Sequence, residues 1–171
     1  MSMERSPKKS ASVIALVAAI VLACDLLSKQ WALNTLQAGV LAPFIPHVLG
    51  LTLVTNSGTA FGMWRGMRLV GLLLPPVVCA ALIYWIWRRE TTGTPLARIE
   101  RIAFGLVLGG AAGNVIDRLM RGEVTDFVYF AFWTSFPVFN VADALIDVGV
   151  GLLILHSLFS TEQKESTAAD G

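Results

Sequence analysis

Four stretches of this chain, about Ser12 to Trp31, Leu69 to Trp87, Ile102 to Leu119 and Val141 to Phe159, are almost wholly apolar. Each is close to the roughly 20 residues that a helix needs to cross a hydrocarbon core. Of the 171 residues, 55% are hydrophobic and 15% charged, too few polar groups to coat a water-soluble domain. The expected fold is therefore an all-α membrane protein with four transmembrane helices. Residues 1–160 form a single domain, and the polar segment 161–171, STEQKESTAADG from Ser160 onward, reads as a disordered tail. Pro75 and Pro76 predict a kink in the second span.

The links between spans carry their own patterns. HVLGLTLVTNSGTAFGMW, from His47, alternates leucine and β-branched positions with small or polar ones and predicts short strands on the membrane surface. VYFAFWTSFPVF, from Val128, is aromatic-rich and predicts a segment in the headgroup layer. Basic residues mark the cytoplasmic side: Arg5, Lys8 and Lys9 in the amino-terminal arm, and Arg88, Arg89, Arg98 and Arg101 between spans two and three. Both termini then lie inside, and the loop holding Asp126 and the start of span four face outward. Arg65, Arg68, Arg118 and Arg121 on the outer side reduce that contrast.

Several function classes lose support. A net charge of +1 offers nothing to nucleic acid. Cys24 and Cys79 lie in apolar runs, which suggests neither a disulfide nor a redox pair, and His47 and His156 alone make no metal cluster. The basic arm, apolar run and VLAC ending at Cys24 resemble a lipoprotein signal peptide, but three further spans follow, so Cys24 is read as an ordinary buried residue.

Ionisable groups inside a span cost about 2.5 to 3.5 kcal/mol each near its centre, so each needs a reason. Asp25 and Lys29 are four residues apart and can pair on one helix face. Gly105, Gly109 and Gly113 form two overlapping GxxxG patterns that permit close helix contact. Asn114 shares a face with Asp117 and Arg118, a polar wall at the outward end of span three. Asn140 can cap span four, with Asp143 at its positive end. Asp147, a turn deeper, is expected to face polar neighbours in the bundle or to be protonated. Asp126 in GEVTDFVYF has the plainest alternative, a solvated loop acid beside Glu123.

Three outward carboxylates, Asp126, Asp143 and Asp147, thus gather near the amides of Asn56, Asn114 and Asn140. Carboxylates held close together share a proton, and such a pair can activate water against a peptide bond. A loop acid and a helix-end acid converge better than two acids at different depths on one helix, which ranks Asp126 with Asp143 above Asp143 with Asp147. Two other classes use the same residues. A serine and lysine peptidase could draw on Ser57 or Ser28 with Lys29, and a small proton-coupled carrier could use the acids as a relay.

DLLSK at 25–29, NSGTAFG at 56–62, GGAAGNVIDR at 109–118, VTDF at 124–127 and FNVAD at 139–143 stand in the order and spacing of the bacterial lipoprotein signal peptidase family, signal peptidase II, which the chain resembles over most of its length. The resemblance implies an aspartic endopeptidase of the bacterial cytoplasmic (inner) membrane, with its active site near the extracytoplasmic face. Its partners would be membrane lipids and diacylglyceryl-modified prolipoproteins, cut just before the lipidated cysteine. It needs no cofactor, and globomycin-type cyclic peptides would inhibit it. Asp126 and Asp143 match the catalytic aspartates. Asn56, Gly58, Asn114, Arg118 and Asn140 match positions lining the substrate pocket, and Asp25 and Lys29 match a supporting polar pair. Asp147 lies outside the motifs and receives no role.

Overall fold

The computed structural model describes residues 7–56 and 68–169. Its elements run α1 Pro7–Thr35, β1 Ala42–Ile45, β2 Leu49–Asn56, α2 Arg68–Thr91, α3 Arg98–Arg121, β3 Val124–Phe130 and α4 Val141–Ala169. Among the described residues, three helical segments, Ser10–Thr35, Arg98–Arg121 and Val141–Ser160, are long and apolar enough to cross a membrane. The second expected span falls on α2, a 24-residue helix that continues through Pro75 and Pro76. The backbone of α4 stays helical to Ala169, into the polar segment that composition assigns to a tail.

The burial pattern is that of a protein solvated by lipid. Leu16, Leu27, Leu158 and Phe159 are exposed, whereas Asp25, Lys29, Asn114, Asp117 and Asn140 are buried. Apolar side chains gain nothing by leaving hydrocarbon, so helix association rests on close packing and on polar groups satisfied in the interior.

α3 sits between α1 and α4 and is shaped by its glycines. A Cβ on Gly105 would stand 2.6 Å from Val17 Cβ, and one on Gly109 would stand 2.6 Å from the Ala18 carbonyl oxygen of α1. The expected GxxxG face therefore packs on α1. Gly110, outside that pattern, meets α4 at the Ala142 carbonyl, and Gly149 of α4 meets the Ala103 carbonyl. Glycine is thus required on two faces of α3, which lets both neighbours approach to backbone distance. Gly122 ends α3 in the left-handed region at φ 82°, its N–H donating to the Arg118 carbonyl at 2.9 Å.

The surface element is a three-stranded antiparallel sheet in the order β1-β2-β3. β2 lies where alternation predicted strands, whereas β1 falls just before that stretch, at Ala42–Ile45, which the alternation did not mark. β3 is a correction: Val124–Phe130, read as part of an outer loop leading into an aromatic interfacial segment, is a strand that pairs with β2 from Leu49↔Phe130 to Asn56↔Val124. Its β-branched and aromatic residues suit a strand, but its partner lies about 70 residues away in the chain and leaves no local mark. The aromatic cluster does form, with Phe130 ring centroids 5.1 to 5.3 Å from those of Phe132, Phe136 and Phe139.

Gly109→Val should drive α1 from α3 and lower stability by about 1–3 kcal/mol or more, read from thermal unfolding in detergent. Gly151→Ala, where a Cβ meets nothing within 4 Å, should leave the midpoint unchanged.

Candidate active site

Near the C-terminal end of α3 the expected residues converge. Asn140 precedes α4 and caps it reciprocally: its Oδ1 accepts the Asp143 N–H at 3.0 Å, and Asp143 Oδ2 accepts the Asn140 N–H at 3.2 Å. With its oxygen committed to the cap, the amide nitrogen of Asn140 turns inward and donates to Asp126 Oδ1 at 2.7 Å and to Asn114 Oδ1 at 3.1 Å. Asn114 donates to Asp143 Oδ1 at 2.8 Å, and Asn56 at the end of β2 donates to Asp126 Oδ2 at 3.0 Å. Asp126 and Asp143 are thus held in one hydrogen-bonded cluster with three asparagines.

Two ties set this convergence. Phe139 exchanges backbone bonds with Val128 at 2.8 and 2.9 Å, joining the approach to α4 to β3. The Thr125 N–H donates to Asp117 Oδ2 at 2.8 Å, fastening β3 to α3 one residue before Asp126. Asp126 is therefore no solvated loop acid; it lies on β3 with 1% of its surface exposed.

Beneath the cluster lies a buried ionic network. Lys29 Nζ meets Asp25 Oδ2 at 2.8 Å, Asp117 Oδ2 at 3.5 Å and Asn114 Oδ1 at 2.8 Å. The expected Asp25–Lys29 pair is present, and Asp117 is its third member, also bonded to Arg121 Nη1. Asp25 Oδ1 accepts the Ala142 N–H at 3.0 Å, so α1 holds the first turn of α4. Sequence reading placed Asp117 on the polar face but missed its role as an anchor; the signal available was its single-turn spacing from Asn114 and Arg121. An ammonium engaged with two carboxylates and an amide has no lone pair to act as a base, and the Ser28 hydroxyl donates to the Asp25 carbonyl at 2.9 Å. A Ser28–Lys29 catalytic pair has no footing in this geometry.

Arg118 is half-buried, donates from Nη1 to the Asn114 carbonyl at 3.3 Å and lies in the field of Asp143, Asp126 and Asp117. Its buried Nε has no hydrogen-bond partner among the described residues. Gly58 and Ser57 lie outside the described residues. Of the two expectations for Asp147, a place among polar neighbours inside the bundle is not met: it is exposed.

Burial pushes the Asp126 carboxyl up to about 6; the Asn56 amide opposes this, the Asp143 charge adds to it, and Asn140 and Lys29 oppose it. An acid near that value exchanges a proton at ordinary pH, as an acid–base catalyst must.

Removing the buried cation should be far worse than removing a pair. Lys29→Met leaves Asp25 and Asp117 without their ammonium and should lower stability by about 3–5 kcal/mol; Asp25→Asn with Lys29→Met should recover part of that loss in the same unfolding assay. A second expectation concerns pH. Because the folded value of Asp126 exceeds the ordinary 3.8, its contribution is most favourable below about pH 3.8 and is lost as pH rises through about 6. Asp126→Asn, which cannot ionise, should therefore gain on the parent protein by on the order of 2 kcal/mol between pH 4 and pH 8.

The sequence model of the family described as Signal peptidase (SPase) II matches residues 17–159. The lipoprotein signal peptidase of Geobacillus thermodenitrificans is 42% identical over 145 residues, which cover 84% of this chain and 88% of that protein. That of Bacillus subtilis is 34% identical over 151 residues, covering 88% and 96%. A bacterial membrane enzyme solved by the in meso method at 2.3 Å resolution superposes with a TM-score of 0.79 at 30% identity, covering 96% of each chain. A match of this extent, in sequence and in fold, makes the chain a member of the signal peptidase II family.

Proposed function

We propose that the protein is an aspartic endopeptidase that removes signal peptides from diacylglyceryl-modified prolipoproteins, cleaving before the lipidated cysteine. Family membership supports the substrate class. The observation that carries the chemistry is the position of Asn140, whose side chain binds Asp126 while its backbone N–H binds Asp143. One residue thereby holds both acids at the same end of the bundle.

In this reading one carboxylate takes a proton from water as the oxygen attacks the scissile carbonyl. The protonated partner donates to the carbonyl oxygen, and the roles exchange as the amine leaves. Asp126 is suited to the exchange because its carboxyl is held near 6. Asn56 and Asn140 orient its two oxygens, and Asn114 orients Asp143. The buried Arg118 Nε is an available donor for a substrate carbonyl. With Asn56, Asn114, Asn140 and the undescribed Gly58, Arg118 would line the substrate pocket, and Asp25 and Lys29 would support it from below.

The same reading places a four-span domain of residues 1–160 in the cytoplasmic membrane, with α2 as the remaining span, the 161–171 tail and both termini inside, and the carboxylates near the outer face. The substrate's own apolar helix and acyl chains would fix the depth of its scissile bond. The sheet and the aromatic segment around Trp133 would grip the substrate and shield that bond from bulk water. Globomycin-type cyclic peptides would occupy the same cleft.

The test uses purified protein with lipidated and unlipidated prolipoprotein. Asp126→Asn and Asp143→Asn should each reduce cleavage of the lipidated substrate by about 10²–10⁴-fold or more, with an unchanged helical spectrum. Retained turnover in either folded variant would refute the assignment.

A further inference from the structure

A concavity lies at the end of the bundle away from the carboxylates. α2 packs chiefly on α3, and the space between α2 and α4 is an open cleft of about 1140 Å³. Its walls are apolar, with Ala81, Leu82 and Trp85 from α2, Phe104 from α3 and Leu153 from α4. Its end is polar, formed by Arg89, Glu100, His156 and Ser160. His156 follows Asp143 by 13 residues on one helix, so this polar end sits about 20 Å along the axis from the carboxylates.

The charge at that end is uneven. The segment from Arg88 to Arg101 holds four arginines and two glutamates. Both acids bond the turn between α2 and α3: Glu90 accepts the Leu96 N–H at 3.0 Å, and Glu100 accepts the Ala97 N–H at 2.6 Å through Oε2 while its Oε1 pairs with Arg89. Buried Arg101 is spent on the Leu96 carbonyl. Arg88 and Arg98 are exposed. Arg89 lies with its guanidinium carbon 5.0 Å from the Trp85 ring centroid and, among the described residues, bonds Glu100 through Nη1 alone, at 2.6 Å. A guanidinium carries five N–H donors, so Arg89 retains capacity for an anion. His156 Nε2 stands 3.9 Å from Glu100 on the facing helix.

We infer that this cleft is a binding site for an anionic membrane phospholipid, its acyl chains along the α2–α4 walls and its phosphate at Arg89 and His156. An apolar slot open to the bilayer and closed by arginine at a headgroup level is the arrangement by which helix bundles select acidic lipids. Charge decides against the other apolar occupant at hand, a signal-peptide helix, because its basic amino end would meet Arg88, Arg89 and Arg98. The inference does not depend on the peptidase reading, since it involves neither carboxylate.

Native mass spectrometry of the delipidated full chain, titrated with dioleoyl phosphatidylglycerol or dioleoyl phosphatidylcholine, tests it. The acidic lipid should bind more tightly by about fivefold. Arg89→Gln should erase that preference, Arg89→Lys should keep most of it, and Ala81→Trp, which fills the cleft, should weaken both lipids. Equal binding of the two lipids would overturn the proposal. So would a preference unchanged in both Arg89→Gln and Ala81→Trp, stabilisation by inorganic phosphate equal to that by the acidic lipid, or displacement of the acidic lipid by a basic apolar signal peptide whose own binding Ala81→Trp abolishes.

Discussion

The buried ammonium of Lys29 is the interaction on which the rest of this structure depends. A cation in the interior of a lipid-facing bundle is tolerable only if it is fully engaged, and Lys29 is engaged by Asp25 of its own helix and by Asp117 and Asn114 of α3. Because an ammonium only donates, the Asn114 oxygen must face Lys29, and its amide nitrogen is left to face Asp143. The α4 cap constrains Asn140 in the same way: its oxygen accepts the Asp143 N–H, and its nitrogen turns to Asp126. Charge buried in one helix pair thus sets side-chain orientation two residues away, without flexible intermediates.

The same network explains how a strand outside the helical bundle comes to present an acid to it. Asp117 satisfies Lys29 and Arg121 and also captures the Thr125 N–H, so one carboxylate joins the ion cluster to β3. The Phe139 backbone bonds then bring the approach to α4 against that strand, and Trp31 of α1 packs edge-on against Phe127. Asp126 is enclosed as a result, and enclosure is what raises its carboxyl toward neutrality.

The two ends of the bundle divide the ionisable residues by chemistry. At one end acids are buried with amides and Lys29, with Arg118 and Arg121 beside them; at the other, Arg89 lines an apolar cleft and shares Glu100 with the turn between α2 and α3. Exposed leucines, isoleucines and valines such as Leu16, Ile20, Leu73, Val77 and Val148 cover the length between. Polar groups sit where they can be satisfied, and glycines on two faces of α3 allow the close helix approach that satisfaction requires.

Much of this was legible locally. Long apolar runs specify helices in lipid, because each must close its own backbone hydrogen bonds. The i,i+4 spacing of Asp25 and Lys29, the glycine period of α3 and the Asn140–Asp143 cap are short-range patterns, and the motif order carried the family resemblance. What tertiary structure alone decided was long-range. The pairing of β3 with β2, the burial of Asp126, the anchoring by Asp117 and the outward turn of Asp147 each depend on segments far apart in the chain. A residue's type and spacing record what it can bond to. Only the packed bundle determines which partner is within 3 Å, and whether water is there to compete.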